Sequence, residues 1–334
     1  MALKKSNNVL EVKNLQTVFP TSRGKLWAAK KISFSMSEGR CLALIGESGA
    51  GKSITALSLL RIVPPPGMIT GGEVILDGRD LLKLDQEEMR LVRGEELALV
   101  FQDSLSTFNP VRTVGRHICE AINAHRSLSN GQVKEMALEK MTALGLPADR
   151  VFRSFPFQLS GGMRQRAALA MALCLHPRIL VTDEATTSLD VTLQAQVLHY
   201  LKKHLEDCCM ALLFITHDLA AAAAVADQVA VIYAGRIIEK GQLKTVFKDP
   251  LHPYTQALLR SHPSFCPGTL KPIQGSPPDL AFLPAGCSFH PRCPEAVSIC
   301  QSKAPEITEV ISGRQVACHL AKKEAFFKGE SAVS

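Results

Sequence analysis

The chain has 334 residues, more than one average domain, so we expect a main domain with a smaller appendage. Hydrophobic residues make up 46% and charged residues 21%, which is typical of a globular protein and excludes disorder of the whole chain. The net charge of +7 suits an anionic small ligand or a membrane surface, but it is too small to indicate nucleic acid.

The sequence predicts neither a membrane span nor a secretory signal. No run of about 20 apolar residues occurs, and the two lysines near the start are not followed by an apolar segment. We therefore expect a cytoplasmic chain in which the ten cysteines do not form a disulfide framework. Four cysteines crowd the C-terminal tail, and the other six are interpreted as buried thiols.

Hydrophobic periodicity predicts strands first and then alternating helices and strands. In chain order the predicted elements are strands at 9–15, 32–36 and 41–45, a helix at about 53–61, a strand pair over 71–82, helices at 133–144 and 163–175, a strand at 179–182, a helix at 193–205 and a strand at 212–215. Such alternation favours a parallel α/β sheet. Proline becomes frequent after about residue 246, which predicts a domain over 1–245, helical at about 105–178, and a separate loop-rich module over 246–334.

A phosphate-binding loop is predicted at residues 46–53. The segment GESGAGKS fits the pattern G-x-x-x-x-G-K-[ST] between a buried strand and a helix. The backbone N–H groups of such a loop, together with the helix N-terminus behind it, bind phosphate oxygens. Lys52 is expected to reach the β- and γ-phosphates, and the Ser53 hydroxyl is expected to bind Mg²⁺.

Two carboxylates, Asp183 and Glu184, follow the predicted strand at 179–182. Ligands of open α/β sheets bind at the carboxyl ends of the strands, where the phosphate loop is also expected. Asp183 is expected to belong to the Mg²⁺ shell, and Glu184 is expected to polarise the attacking water as a general base. A pair of solvated acids at a strand end is the alternative interpretation.

The segment LSGGM at residues 159–163 predicts a second anion site. Ser160 is expected to cap a helix that starts at about Gly162, and the two glycines leave N–H groups free at its N-terminus. Because the chain already has one phosphate loop, a second anion site indicates a composite site that another chain closes. A simple capped helix after a loop is the alternative.

With these motifs in this order, residues 9–245 resemble the ATP-binding cassette (ABC) ATPases, whose LSGGQ-like signature differs here only by Met163. The resemblance implies an α/β P-loop NTPase with a RecA-like parallel sheet, an antiparallel β subdomain and a helical subdomain. It implies that Gln102, Glu184 and His217 are catalytic and that Gln102 joins Ser53 and Asp183 around Mg²⁺.

The resemblance also assigns the residues that bind ATP and those that serve a partner chain. The implied ATP-binding residues are Phe19, which would stack on adenine, and Gly46, Glu47, Ser48, Gly49, Ala50, Gly51, Lys52, Ser53 and Ile54. Trp27 is a weaker stacking candidate. The implied signature is Leu159, Ser160, Gly161, Gly162 and Met163, and the implied D-loop is Ser188, Leu189 and Asp190. The family's usual proline after the catalytic glutamate is Ala185 here, which is expected to loosen the loop without removing a catalytic group.

The tail narrows the resemblance to dipeptide and oligopeptide importer ATPases. The segments that carry it are His252–Leu259 and Cys287–Cys300, followed by Cys318-His319. In that subfamily the resemblance implies a [4Fe–4S] cluster on Cys287, Cys293, Cys300 and Cys318, to which we assign a structural role. The cysteine spacing itself matches neither a usual zinc finger nor a ferredoxin run, and zinc or unligated thiols remain alternatives.

The resemblance implies an ATPase that powers peptide import from the cytoplasmic face of the inner membrane as a peripheral subunit. Its implied partners are a second, non-identical ATPase subunit, two membrane permeases and, indirectly, an extracytoplasmic binding protein, with no nucleic acid. Residues from Gln102 to Pro110 are expected to contact the permeases. Nickel chelates and glutathione-like peptides remain alternative cargoes. A soluble cassette ATPase, acting in cluster assembly or on nucleic acid, is disfavoured by the tail, and a redox protein by the complete hydrolytic set.

Overall fold

The computed structural model describes residues 8–22, 24–103, 107–266 and 272–321. These residues form two compact units. The first contains 36–41 and 80–215 with the start of the first strand, and the second contains 10–35, 42–79 and the chain from 216 onwards. The predicted division into 1–245 and 246–334 stays a prediction from the sequence.

An antiparallel sheet forms much of the N-terminal half of the second unit. Its strands are β1 (Asn8–Thr21), β2 (Gly24–Ser37), β4 (Met68–Leu76) and β5 (Arg79–Asp80), in the order β2-β1-β4-β5. Strand β1 pairs with β4 from Leu10↔Leu76 to Val18↔Met68, and the register shifts beyond Lys13. Gly72 allows this irregular pairing, because its φ is +97° and a Cβ would lie 2.5 Å from the Cα of Leu15.

A second group of strands in this unit carries the phosphate loop. Strand β3 (Cys41–Ile45) is buried at every residue and pairs in parallel with β9 (Gln228–Tyr233), as its continuous apolar sequence predicts. The antiparallel strands β10 (Arg236–Gln242), β12 (Arg314–Val316) and β11 (Thr308–Ile311) continue from β9 in that order.

The helices of the second unit lie around these strands. They are α1 (Lys52–Leu59), α8 (Leu219–Val225), α9 (Leu243–Lys248), α10 (Pro253–Arg260) and α11 (Ser298–Ser302). The C-terminal segment shares a hydrophobic core with the phosphate-loop strands, because Tyr254 and Phe289 pack with Ile45 and Val231 in one buried cluster. The predicted loop-rich tail therefore contributes two large aromatic side chains, Tyr254 and Phe289, to the core of this unit.

The first unit contains three parallel strands and most of the helices. Its strands pair in the order β6-β7-β8, with β6 at Leu97–Val100, β7 at Ile179–Asp183 and β8 at Ala211–Thr216. Its helices are α2 (Gln86–Glu95), α3 (Val114–Asn123), α4 (Asn130–Ala143), α5 (Ala148–Arg153), α6 (Gly161–Leu173) and α7 (Val191–Cys208). The predicted elements are thus confirmed, with helices that begin one to three residues earlier than the periodicity indicated.

Within the parts of the chain that the structure describes, no helix is both long enough and apolar enough to cross a bilayer.

Candidate functional site

The phosphate loop follows β3 and adopts a conformation that requires glycine at two positions. Gly46 has φ +155° and Gly51 has φ +104°, and a Cβ at either residue would collide with a backbone carbonyl oxygen, that of Ile232 or of Ala28. Helix α1 begins directly at Lys52, and no side chain caps its N-terminus. The loop therefore presents its backbone to the space where phosphate oxygens bind in loops of this kind.

The side chain of Lys52 lies inside the loop that it is predicted to serve. Its Nζ donates to the carbonyl oxygens of Gly46 at 2.8 Å and Glu47 at 3.0 Å, and the residue is only 5% exposed. These contacts hold the ammonium at the centre of the loop, where it is in position to exchange carbonyl oxygens for phosphate oxygens.

Two residues from the C-terminal part of the chain hold the second residue of the loop. The Glu47 backbone N–H donates to the Tyr254 hydroxyl at 2.8 Å, and the Glu47 carboxylate accepts two hydrogen bonds from Arg292 at 2.7 and 3.0 Å. These hydrogen bonds raise the pKa of the Arg292 guanidinium, and burial raises the pKa of the Tyr254 phenol. No motif of the sequence indicated either residue, although Tyr254 lies in the HPYTQALL segment and Arg292 directly precedes Cys293.

The first unit brings Gln102 and Glu184 together. The Gln102 side-chain amide donates to the Glu184 carboxylate at 2.8 Å, although 82 residues separate them along the chain. Asp183, the last residue of β7, is 7% exposed. Since Glu184 follows it directly, the end of this strand carries two carboxylates and an amide within one small volume.

The backbone at Glu184 is strained and is held by several hydrogen bonds. Its φ is +51°, a region that residues other than glycine rarely adopt. Its N–H donates to the carbonyl of Ile215 at 2.9 Å, and its own carbonyl accepts from the Thr187 hydroxyl at 3.0 Å and the Gln165 amide at 3.3 Å. Strain of this kind persists where the surroundings fix it, and it is common at active sites.

The signature segment and the predicted D-loop are in direct contact. Ser160 caps α6, as predicted, by accepting from the Met163 N–H at 3.3 Å, although the helix starts at Gly161 rather than Gly162. The Ser188 hydroxyl donates to the Gln165 side chain at 2.5 Å. Gly162 lies against Leu189, whose Cδ2 would be 3.0 Å from an added Cβ. Gln165, which sequence reasoning missed, therefore connects the signature helix both to the D-loop and to Glu184.

Three other predicted residues, His217, Phe19 and Trp27, lie in different segments of the second unit. His217 follows β8, is exposed and belongs to the second unit. Phe19 is half-buried and its ring lies against Gly67, while Trp27 is half-buried on β2. The predicted permease-contacting segment lies partly outside the described residues, because 104–106 are not among them.

The four clustered cysteines occupy one part of the second unit. Cys300 is buried, and the other three thiols are half-buried. Burial raises the pKa of Cys287, and the nearby Cys300 and Cys318 raise it further; burial also raises the pKa of Cys293 to about 11. The Cys287 N–H donates to the Cys300 carbonyl at 2.8 Å. Gly286, with φ +72°, permits this approach because a Cβ would collide with the same carbonyl oxygen.

These four sulfurs are near one another but are not gathered around a point. Among the described residues, the one group of at least three His, Cys, Asp or Glu ligand atoms within 4.8 Å of each other lies elsewhere, on the first unit. A single tetrahedral ion needs its ligands closer together than that limit.

The fold and these motifs define an ABC ATPase. Residues 29–187 match the ABC transporter family model, and residues 238–300 match the model for the oligopeptide/dipeptide transporter C-terminal region. The chain is 26% identical to a bacterial ABC transporter cassette solved as a dimer, with a TM-score of 0.65 over 70% of this chain and 98% of that one. A second structure, of the same cassette in a post-hydrolysis state with ADP and phosphate, matches equally well.

Several curated relatives match nearly the whole chain, including its C-terminal region. The chain is 43% identical over 317 residues to a Brucella melitensis protein provisionally named a peptide import ATP-binding protein, covering 90% of this chain and 94% of that protein. It is 40% identical to the oligopeptide transport ATP-binding protein OppD of Bacillus subtilis, with 95% and 90% covered, and 39% identical to the dipeptide transport ATP-binding protein DppD of Haemophilus influenzae, with 95% and 96% covered. The chain belongs to the ABC transporter ATPases that carry the oligopeptide/dipeptide transporter C-terminal region. The predicted α/β P-loop fold is confirmed.

Proposed function

We propose that this chain is the ATP-hydrolysing subunit of a peptide importer, with dipeptides or oligopeptides as cargo. The observation that carries the proposal is the hydrogen bond between Gln102 and Glu184 at the end of β7, because a carboxylate held by a side-chain amide is suited to act as an oriented general base. The names of the relatives support the transport role and the cargo class.

In this proposal the phosphate loop binds the nucleotide and the β7 carboxylates act on its γ-phosphate. Lys52 exchanges its carbonyl partners for phosphate oxygens, and Phe19 stacks on adenine. Ser53, Asp183 and Gln102 fit Mg²⁺ because the set is entirely hydroxyl, carboxylate and amide oxygen, the donors that this ion prefers. When bound, Mg²⁺ neutralises charge that develops on the phosphates. Glu184 orients and deprotonates the attacking water, and His217 faces the γ-phosphate.

We further propose that a second ATPase subunit completes each nucleotide site. Ser160 and the two glycines of the signature leave backbone N–H groups at the start of α6, an anion site that the chain's own phosphate loop does not need. Gln165 contacts both Ser188 and the Glu184 carbonyl. In this proposal these contacts couple the binding of the partner's nucleotide at the signature to the position of this chain's Glu184 carboxylate. The subunit would be peripheral on the cytoplasmic face of the inner membrane, bound to two permeases and served by an extracytoplasmic binding protein.

We also propose that Cys287, Cys293, Cys300 and Cys318 hold a [4Fe–4S] cluster. The residues fit such a group, because all four are soft thiol donors. Burial, and to a smaller extent the neighbouring cysteines, raises the pKa of Cys287, Cys293 and Cys318, so a cationic centre would stabilise their thiolates. The resemblance to the peptide importer ATPases favours iron–sulfur over zinc, since both are compatible with a set of four thiolates. The cluster would supply cross-linking of the tail, and no step of ATP hydrolysis involves it.

The test is to purify the chain from its native membrane complex and to reconstitute that complex in liposomes. We expect two permeases and a second cassette subunit to co-purify and ATP-dependent peptide uptake to follow. Uptake of nickel chelates or glutathione in place of peptides would change the cargo and leave the coupling role intact. Recovery of the chain without any permease would overturn the transport role and favour a soluble cassette ATPase.

A further inference from the structure

A second group of side chains that could bind a metal ion lies on the first unit. His176, His204 and Cys208 each offer a ligand atom, and these three atoms all lie within 4.8 Å of one another. We propose that they form a Zn²⁺ site with three protein ligands and an open fourth position. None of the predicted nucleotide or cluster residues belongs to this group.

The local structure explains why the three side chains converge. His204 and Cys208 are four residues apart near the end of α7, so they lie on the same face of that helix. His176 follows α6 in a tight turn, with φ +52° and its N–H donating to the carbonyl of Leu173 at 3.1 Å. A short segment connects this turn to β7. The turn brings His176 close to the end of α7.

The distance between the two ligands on α7 is close to the one that a tetrahedral ion requires. The His204 Nδ1 lies 3.7 Å from the Cys208 Sγ. A nitrogen and a sulfur that bind one zinc ion at usual bond lengths and the tetrahedral angle are about 3.6 Å apart. The third ligand, His176, is exposed and can rotate to close the remaining gap.

The donor set and its surroundings favour a borderline-soft ion. Two imidazoles and one thiolate are typical zinc ligands, whereas Mg²⁺ and Ca²⁺ prefer oxygen. His204 is 92% buried, since only 8% of its surface is exposed, and it stacks on Tyr200 with ring centroids 5.6 Å apart. Its Nδ1 faces the Cys208 Sγ, and its Nε2 has no hydrogen-bond partner among the described residues.

Charged side chains near the site act on the two imidazoles and on a cation bound between them. Partial burial lowers the pKa of both imidazoles, and the nearby Lys140 ammonium lowers it further. Lys140 would also repel a cation, and Arg126 adds to this effect at His176. The Glu139 carboxylate, 3.7 Å from the Lys140 Nζ, and Asp207 beside His204 offset that repulsion, and a Cys208 thiolate removes one charge of the ion.

Residue-resolved alkylation of the full-length chain tests the site. The protein, kept reduced with a phosphine, is treated with N-ethylmaleimide with and without ZnCl₂, and each cysteine is quantified by mass spectrometry. A zinc-bound thiolate reacts slowly, so we expect Zn²⁺ to protect Cys208 and to leave the adjacent, exposed Cys209 reactive. Because the readout is specific to each cysteine, metal bound by the tail cysteines does not interfere.

Two variants distinguish the proposed site from adventitious zinc binding. His176→Gln removes an exposed ligand, so the fold is retained and protection of Cys208 is lost. Cys209→Ser is the matched control and keeps the protection. Protection that survives His176→Gln, or that disappears in Cys209→Ser, would show that Zn²⁺ binds the adjacent thiols only. Equal Cys208 reactivity with and without Zn²⁺ would also overturn the proposal.

Discussion

The Arg292 guanidinium donates two parallel hydrogen bonds, of 2.7 and 3.0 Å, to the Glu47 carboxylate, although 245 residues separate the two along the chain. Glu47 is the second residue of the phosphate loop, and Arg292 lies between two of the clustered cysteines. The Arg292 side chain is 5% exposed, and its guanidinium carbon lies 5.9 Å from the centre of the Tyr233 ring. The cysteine-bearing tail therefore holds the loop that is predicted to bind ATP.

Replacing Arg292 by alanine should loosen the phosphate loop. Loss of a charge-assisted, bidentate pair at a largely buried position is expected to lower the free energy of unfolding by about 2 kcal/mol. ATP affinity should fall with it, because the loop loses a fixed attachment. Arg292→Lys should rescue only part of both effects, since lysine keeps the charge but lacks the planar fork.

Chemical denaturation and the binding of a fluorescent nucleotide measure these two effects. Arg260→Ala, at an exposed position of α10 in the same unit, is the control and should change neither. A double-mutant cycle with Glu47→Gln isolates the pair. Additive effects of the two substitutions would argue against coupling between the tail and the loop.

Glu184→Gln should retain ATP binding and lose hydrolysis. The amide is nearly isosteric and can still accept from Gln102, but it is a poor base, so the rate should fall by roughly 10²- to 10⁴-fold. The closed, ATP-bound dimer should accumulate. Single-turnover hydrolysis by the purified complex is the measurement, with the exposed Glu206→Gln as control. Normal turnover at both sites would reject Glu184 as the general base.

Lys52→Ala should weaken nucleotide binding itself. The substitution removes an ammonium held at the centre of the loop and with it a charge-assisted contact to phosphate, so the dissociation constant for ATP should rise roughly 10- to 100-fold. Equilibrium binding of Mg-ATP measures this, and Lys244→Ala, at an exposed position of α9, should leave it unchanged. Unchanged affinity in Lys52→Ala would mean that this lysine does not contact the nucleotide.

Ser160→Arg should damage the nucleotide site of the partner subunit. The larger side chain replaces the cap of α6 and blocks its N-terminus, which is expected to bind the other chain's phosphates. We expect reduced hydrolysis at the site whose phosphate loop belongs to the partner, while the exposed Ser302→Arg should have no effect. The wild-type chain alone should hydrolyse ATP slowly, and full activity of a monomer at high dilution would contradict the composite site.

Cys293→Ser should lower the iron content of anaerobically purified protein and reduce assembly with the permeases. About four irons per chain are expected in the wild type, as a four-cysteine [4Fe–4S] ligand set implies. Cys266→Ser, at a cysteine outside the group, should keep them. Stoichiometric zinc without iron would show the metal assignment to be wrong, and nucleotide binding in Cys293→Ser should remain largely intact.

Local sequence patterns predicted most elements and the loop itself. Two examples are the all-apolar run at 41–45 and the glycine-lysine-serine end of GESGAGKS. The structure of each depends on interactions between residues a few positions apart, so it can be inferred from their spacing. The same holds for the cap that Ser160 provides to α6. The predicted ends of the helices were less exact, because a helix end depends on its cap. Helix α4 begins after Ser129, which forms a capping box with Gln132, and hydrophobic periodicity does not reveal such a cap.

The sequence by itself thus determined the P-loop fold, the order of its motifs and the identity of its charged side chains. Only the tertiary structure decided which distant residues meet. Gln102 reaches Glu184 because β6 and β7 pair in parallel, and Tyr254 and Arg292 reach Glu47 because the tail packs on β9 and its neighbours. Likewise, His176 joins His204 and Cys208 through a turn after α6. Contacts between residues far apart in the chain depend on how whole elements pack, and no local pattern records that.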